Sequence, residues 1–138
     1  MRYVSAAAFL GLFVFAACLM AVSAADLTLA AELEAEQNPI PATEESITKG
    51  RVVYTRFCRS CHGTEGKGDG GGGADGVTVA NLVDDTWDHG GTDEEIFKTI
   101  TEGVPPDLYM EPWEGRISEE DIWNVINFIR DLGKRAKG

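Results

Sequence analysis

Reactive side chains in this chain concentrate in the stretch RFCRSCHGT, residues 56–64, where Cys58 and Cys61 stand two residues apart and His62 follows the second. Such a triplet could be half of a zinc site, a redox dithiol or an anchor for covalent haem. Zinc needs four ligands, and beyond the N-terminal apolar run only Cys58, Cys61, His62 and His89 offer thiolate or imidazole. The adjacent Cys61 and His62 would then have to turn onto one ion. A thioredoxin-like dithiol belongs in a βαβ setting, and no strand pattern precedes Cys58. Covalent haem uses all three residues: both thiols add to vinyl groups as thioethers one helical turn apart, and the histidine ligates iron from the same turn. Met1 and Met20 lie in the apolar run, which leaves Met110, in the loop DLYMEPW, as the methionine for the second axial position. His89, in TWDHGG, is the competing ligand and would give a bis-histidine iron.

Helices must hold these residues, because helix signals dominate from Ser46 onward. SITKGRVVYTRF gathers Ile47, Val53, Tyr54 and Phe57 on one face and leads directly into Cys58. TDEEIFKTITEG opens with Thr92 and Glu95 in a capping-box spacing, buries Ile96, Phe97 and Ile100, and closes at Gly103. SEEDIWNVINFIRDLG is capped by Ser118, carries acids in its first turn, presents Ile122, Val125, Ile126 and Ile129 as a stripe, and is expected to end at Gly133. Lys134, Arg135 and Lys137 then lie at the negative end of the helix dipole. The intervening GKGDGGGGADG lacks the Gly-Lys-Ser/Thr ending of a phosphate loop and reads as a flexible connection. Three short helices bury little for a domain of this size, so an apolar group is needed to fill the middle.

Composition limits the partners. The 138 residues hold 23 Asp and Glu against 12 Lys and Arg, a formal net charge of −11, which argues against a nucleic-acid surface. No catalytic pair and no nucleophile with its base is present, so the chain is not expected to be an enzyme. At the N-terminus, Arg2 precedes an uncharged apolar run, and VSA ending at Ala24 offers small residues before a cut; residues 1–24 therefore read as a signal peptide. A retained anchor, or lipidation at Cys18 in FAAC, would also export the domain, and only these two would tie it to a membrane. The expected location is periplasmic. Residues 25–45, rich in Ala and Glu and broken by Pro39 and Pro41, read as an acidic flexible linker, and residues 46–138 as the domain.

Over residues 46–133 the sequence resembles the monohaem class I cytochromes c, on GRVVYTRFCRSCHG, YMEPW and DIWNVINFIRDL. The resemblance implies an all-α small cytochrome c fold, about three to five short helices wrapped around one haem c, held covalently through Cys58 and Cys61 and ligated by His62 and Met110. It also implies that the first and last helices cross at Gly50, Tyr54 and Phe128. Where the family usually has a proline whose carbonyl accepts from the proximal histidine, this chain has Val79, Ala80 and Asn81. Any backbone carbonyl can take that bond, so a contact from this segment to His62 is still expected. Trp87, Tyr109 and Trp113 are expected to pack on the haem or the core.

Functionally the resemblance implies an exported carrier of single electrons, with an exported dehydrogenase as donor and an oxidase or another cytochrome as acceptor. Two other roles stay open: a haem-bearing subunit of a larger oxidoreductase complex, and a haem enzyme or sensor with a displaceable Met110. Charge is uneven: residues 49–67 hold five cations and one acid, while residues 68–131 hold three cations and sixteen acids.

Overall fold

The three longer helices among the described residues each begin where a hydroxyl can accept from an unpaired amide of the first turn. The computed structural model describes residues 38–138, so the expected leader 1–24, Cys18 and linker residues 25–37 lie outside the described residues. Helix α1 spans Glu44–Phe57, α2 Arg59–His62, α3 Asp93–Glu102 and α4 Glu119–Lys137, with no strand among the described residues. The all-α expectation therefore holds. Thr43 caps α1 by accepting from the Ser46 amide, and Ser118 caps α4 by accepting from the Asp121 amide. On α3 the full capping box forms: the Glu95 amide donates to the Thr92 hydroxyl (3.2 Å) and the Thr92 amide to the Glu95 carboxylate (2.9 Å).

Helices α1 and α4 cross at the expected residues. A Cβ on Gly50 would fall on the Asn124 carbonyl and within 2.9 Å of the Phe128 Cβ, so only glycine allows the backbones to meet. One turn on, the Tyr54 and Phe128 rings pack 5.2 Å apart at 57°. The inward stripe of α4, Ile122, Val125, Ile126, Ile129 and Leu132, is buried, with Ile126 wholly removed from solvent. Truncating such a residue to alanine costs about 2–5 kcal/mol. Helix α3 adds Ile96 and Ile100 to this core and stacks Phe97 on Trp123 at 4.2 Å. Arg130 of α4 fixes the start of α3, donating to Asp93 (2.7 Å) and to the Gly91 carbonyl (2.5 Å).

Two boundaries differ from expectation. Helix α1 starts two residues before Ser46, which makes Ser46 an interior, buried residue that donates to the Asn124 side chain (2.7 Å). Upstream, Asn38 donates to the Trp123 carbonyl (2.8 Å) and the Asn127 side chain (3.0 Å), while Asn127 donates to the Ile40 carbonyl (2.9 Å). Asn38 and Ile40 are thus bonded to α4, although the expected linker ran to residue 45. Nor does α4 end at Gly133. It continues to Lys137 because its last turn finds partners: Arg135 pairs with Asp131 at 3.0 Å, and Lys137 with Asp85.

Candidate functional site

Helix α1 breaks at Cys58. The Cys58 amide still donates to the Tyr54 carbonyl (2.9 Å), but its φ of −109° turns the chain and α2 restarts at Arg59. The amides of Cys61 (3.2 Å) and His62 (3.0 Å) both donate to the Cys58 carbonyl, which sets Cys58, Cys61 and His62 on one turn. Both thiols are free and half-buried. Burial, with Cys61 as a lesser cause, pushes the Cys58 thiol up to about 12, so it stays neutral near pH 7. His62 is half-buried, and its Nδ1 lies 3.1 Å from the Ala80 carbonyl oxygen. A carbonyl only accepts, so Nδ1 carries the proton and Nε2 keeps its lone pair for a metal. Burial pulls the ring's proton affinity below the usual imidazole range, against a smaller opposing effect of the Ala80 bond. The contact expected from the Val79–Asn81 segment is therefore present, with alanine in the place of proline.

The glycine-rich loop is not a flexible connection. The last four carbonyls of a helix lack intrahelical partners. Here those of Arg59, Ser60, Cys61 and His62 accept from the amides of Gly63 (2.9 Å), Gly72 (2.8 Å), Gly70 (3.1 Å) and Gly68 (2.9 Å). Alternate glycines of residues 68–72 thus run as a clasp along α2. Below it, the buried Tyr54 hydroxyl donates to the Gly63 carbonyl at 2.7 Å.

Met110 sits half-buried against the core, in a loop closed by backbone bonds. The Val104 amide donates to the Met110 carbonyl (3.0 Å), and the Trp113 amide to the Ile100 carbonyl (3.0 Å). Gly103, at φ +73°, is required here because a Cβ would press on the Met110 carbonyl and the Pro112 nitrogen. Trp113 packs edge-on against Phe57 at 5.4 Å, so this loop is seated on the end of α1 that leads into Cys58. Trp113 packs as expected, and Trp87 is half-buried under Arg130 at 5.4 Å, but Tyr109 is 62% exposed. His89, the competing ligand, is exposed. Among the described residues no three His, Cys, Asp or Glu side chains gather as a metal-ion site, so the zinc reading finds no ligand set.

Two half-buried thiols and an imidazole fixed through its Nδ1 on one turn, with a half-buried thioether in a loop seated on that end of α1, suit the chemistry of covalent haem. The helices are those of a small cytochrome c domain, a class whose prosthetic group is haem c. Residues 45–129 match the family described as cytochrome c oxidase, cbb3-type, subunit III, and the chain belongs to that family. Among its relatives is the cbb3-type cytochrome c oxidase subunit FixP of Azorhizobium caulinodans, 34% identical over 126 residues, covering 87% of this chain and 40% of the relative. The CcoP subunit of Azospirillum sp. is 30% identical over 87 residues, covering 63% of this chain and 29% of the relative. The chain therefore spans less than half the length of these relatives.

Proposed function

We propose that this domain passes single electrons through one haem c, attached at Cys58 and Cys61 and ligated by His62 and Met110, as the haem-bearing part of an oxidase-linked complex. The observation that supports the site is the His62 ring, held by the Ala80 carbonyl 3.1 Å from Nδ1, which leaves the Nε2 lone pair free to ligate iron. When bound, haem c supplies a one-electron ferric/ferrous couple, whose potential a thioether ligand raises. The chain's own part is to hold that group still. Cys58 and Cys61 fix its edge to α2, the clasp fixes α2, and the loop bonded at Val104 and Met110 fixes the thioether. Ligands held in place by the fold would limit rearrangement as the charge of the bound group changes, which suits a carrier better than an enzyme that must open a site.

Membership of the subunit III family, and relatives named as cbb3-type oxidase subunits, support an oxidase complex as the setting and other cytochromes as partners. An exported dehydrogenase as donor gains no support from them. A free exported carrier is the second reading, favoured by the VSA cleavage signal at Ala24 and by the acidic charge of −11. Periplasmic placement follows from the leader in either case, and no helix among the described residues is long and apolar enough to cross a membrane. Native electrophoresis of solubilised membranes and of the soluble periplasmic fraction from cells making the tagged full chain decides between the two. Haem-stained chain migrating with oxidase activity supports the complex. Haem-stained chain found only as a small soluble species supports the free carrier.

A further inference from the structure

One glycine touches both supports of His62. The Gly68 amide donates to the His62 carbonyl at 2.9 Å, holding the residue's main chain. On its other side the bare α-carbon of Gly68 lies against the Val79–Ala80 peptide. A Cβ there would fall on the Val79 carbonyl oxygen and lie 3.2 Å from that of Ala80. The Ala80 carbonyl is the group that accepts from His62 Nδ1, and the Leu82 amide, donating to the Gly66 carbonyl (2.7 Å), pins the far end of the same segment. Gly70 and Gly72 differ: a Cβ on either would meet the Ser60 carbonyl and leave the Val79–Ala80 peptide untouched.

We infer that Gly68 is a positioning residue that sets the ligand strength of His62, by seating the Ala80 carbonyl against its Nδ1–H. The inference rests on the proposed bond between His62 and iron. A carbonyl bonded to Nδ1–H raises the basicity of the imidazole. A more basic ligand favours ferric over ferrous iron, so displacing that carbonyl shifts the balance towards ferrous and raises the reduction potential.

The test uses the haem-loaded full chain as parent, Gly68→Ala, Gly71→Ala and Gly76→Ala. Gly71 (φ +71°) and Gly76 (φ +79°) impose the same backbone strain as Gly68 (φ +78°), but a Cβ on either meets nothing within 4 Å. Gly68→Ala should move the ferric/ferrous ratio about tenfold towards ferrous, about 59 mV for a one-electron couple. The NMR signal of the His62 Nδ1 proton should move with it, while both controls keep the parent's potential and signal. A Gly68→Ala protein matching the parent in both, or controls that shift equally, overturns the inference. Should Gly68→Ala fail to fold, amide exchange in the parent decides. The Gly68 amide should be protected and the Gly71 amide fast, and equal rates refute the proposal. A parent whose iron is not bound by His62 refutes the proposed function and this inference together, whereas a His62-ligated parent with an unmoved Gly68→Ala refutes the inference alone.

Discussion

The same substitution at two helical glycines should change stability in opposite directions. Replacing glycine by alanine inside a helix gains about 0.8–1 kcal/mol of propensity, if the added methyl finds room. At Gly133 on α4 it does, because the nearest outside atom to a new Cβ is the Val83 Cα at 4.0 Å. Gly133→Ala should therefore stabilise by about 1 kcal/mol. At Gly50 the methyl meets the Asn124 carbonyl, a backbone group of the facing helix, and the Phe128 Cβ at 2.9 Å. Overpacking costs about 1–3 kcal/mol, and a helix backbone yields less readily than a side chain, so the upper end applies. Less the propensity gain, Gly50→Ala should lose about 2 kcal/mol, or roughly 8–16 °C in melting temperature for a domain of this size. Denaturant titration of the haem-loaded proteins, with m-values compared, reads both changes. A Gly50→Ala protein as stable as the parent would refute the crossing geometry, and a Gly133→Ala protein less stable than the parent would refute the open space beside α4.

Other outcomes follow from the site and its surroundings. Haem should stay with the polypeptide through denaturing electrophoresis, and its removal by acid–organic extraction would exclude thioethers at Cys58 and Cys61. Reduction by the physiological donor should slow as salt shortens the Debye length from about 30 Å at 0.01 M to about 8 Å at 0.15 M. Arg59→Glu, an exposed change between the two cysteines, should alter that rate more than Lys134→Glu near the end of α4; equal effects would place docking elsewhere. Glu95, held below the usual carboxylate value by the Thr92 amide and then by the Thr92 hydroxyl, releases its proton more readily folded than unfolded. Its cap contribution is therefore complete above the usual Glu value and fades as pH falls through the lowered one, so parent and Glu95→Gln should converge in stability in acid. A constant gap across that range would show that the carboxylate does not stabilise the cap.

Helix starts were legible because they depend on neighbours in sequence. Thr92 with Glu95, and Ser118 before three acids, form their caps as the spacing predicts. Gly50, Tyr54 and Phe128 were legible through the family resemblance, since a close crossing demands a residue without a side chain. What escaped was long-range bonding. Helix signals begin at Ser46 in the sequence, yet the helix starts at Glu44 because Thr43 caps it, and Asn124 draws the Ser46 hydroxyl inward. Gly133 reads as a stop until Asp85 and Asp131 engage the last turn beyond it. The glycine run reads as slack chain because its function lies in backbone amides, which no side-chain pattern reports. Asn38 escaped for the same reason, being bonded to residues more than 80 positions away.

The ligation of the iron by His62 and Met110 is most directly tested by the ferric absorption spectrum of the parent, Met110→Leu and His89→Ala. The parent and His89→Ala should both show the iron–sulfur charge-transfer band, and Met110→Leu should lack it while keeping its covalent haem. A band that survives in Met110→Leu, or one that is lost in His89→Ala, would contradict the assignment.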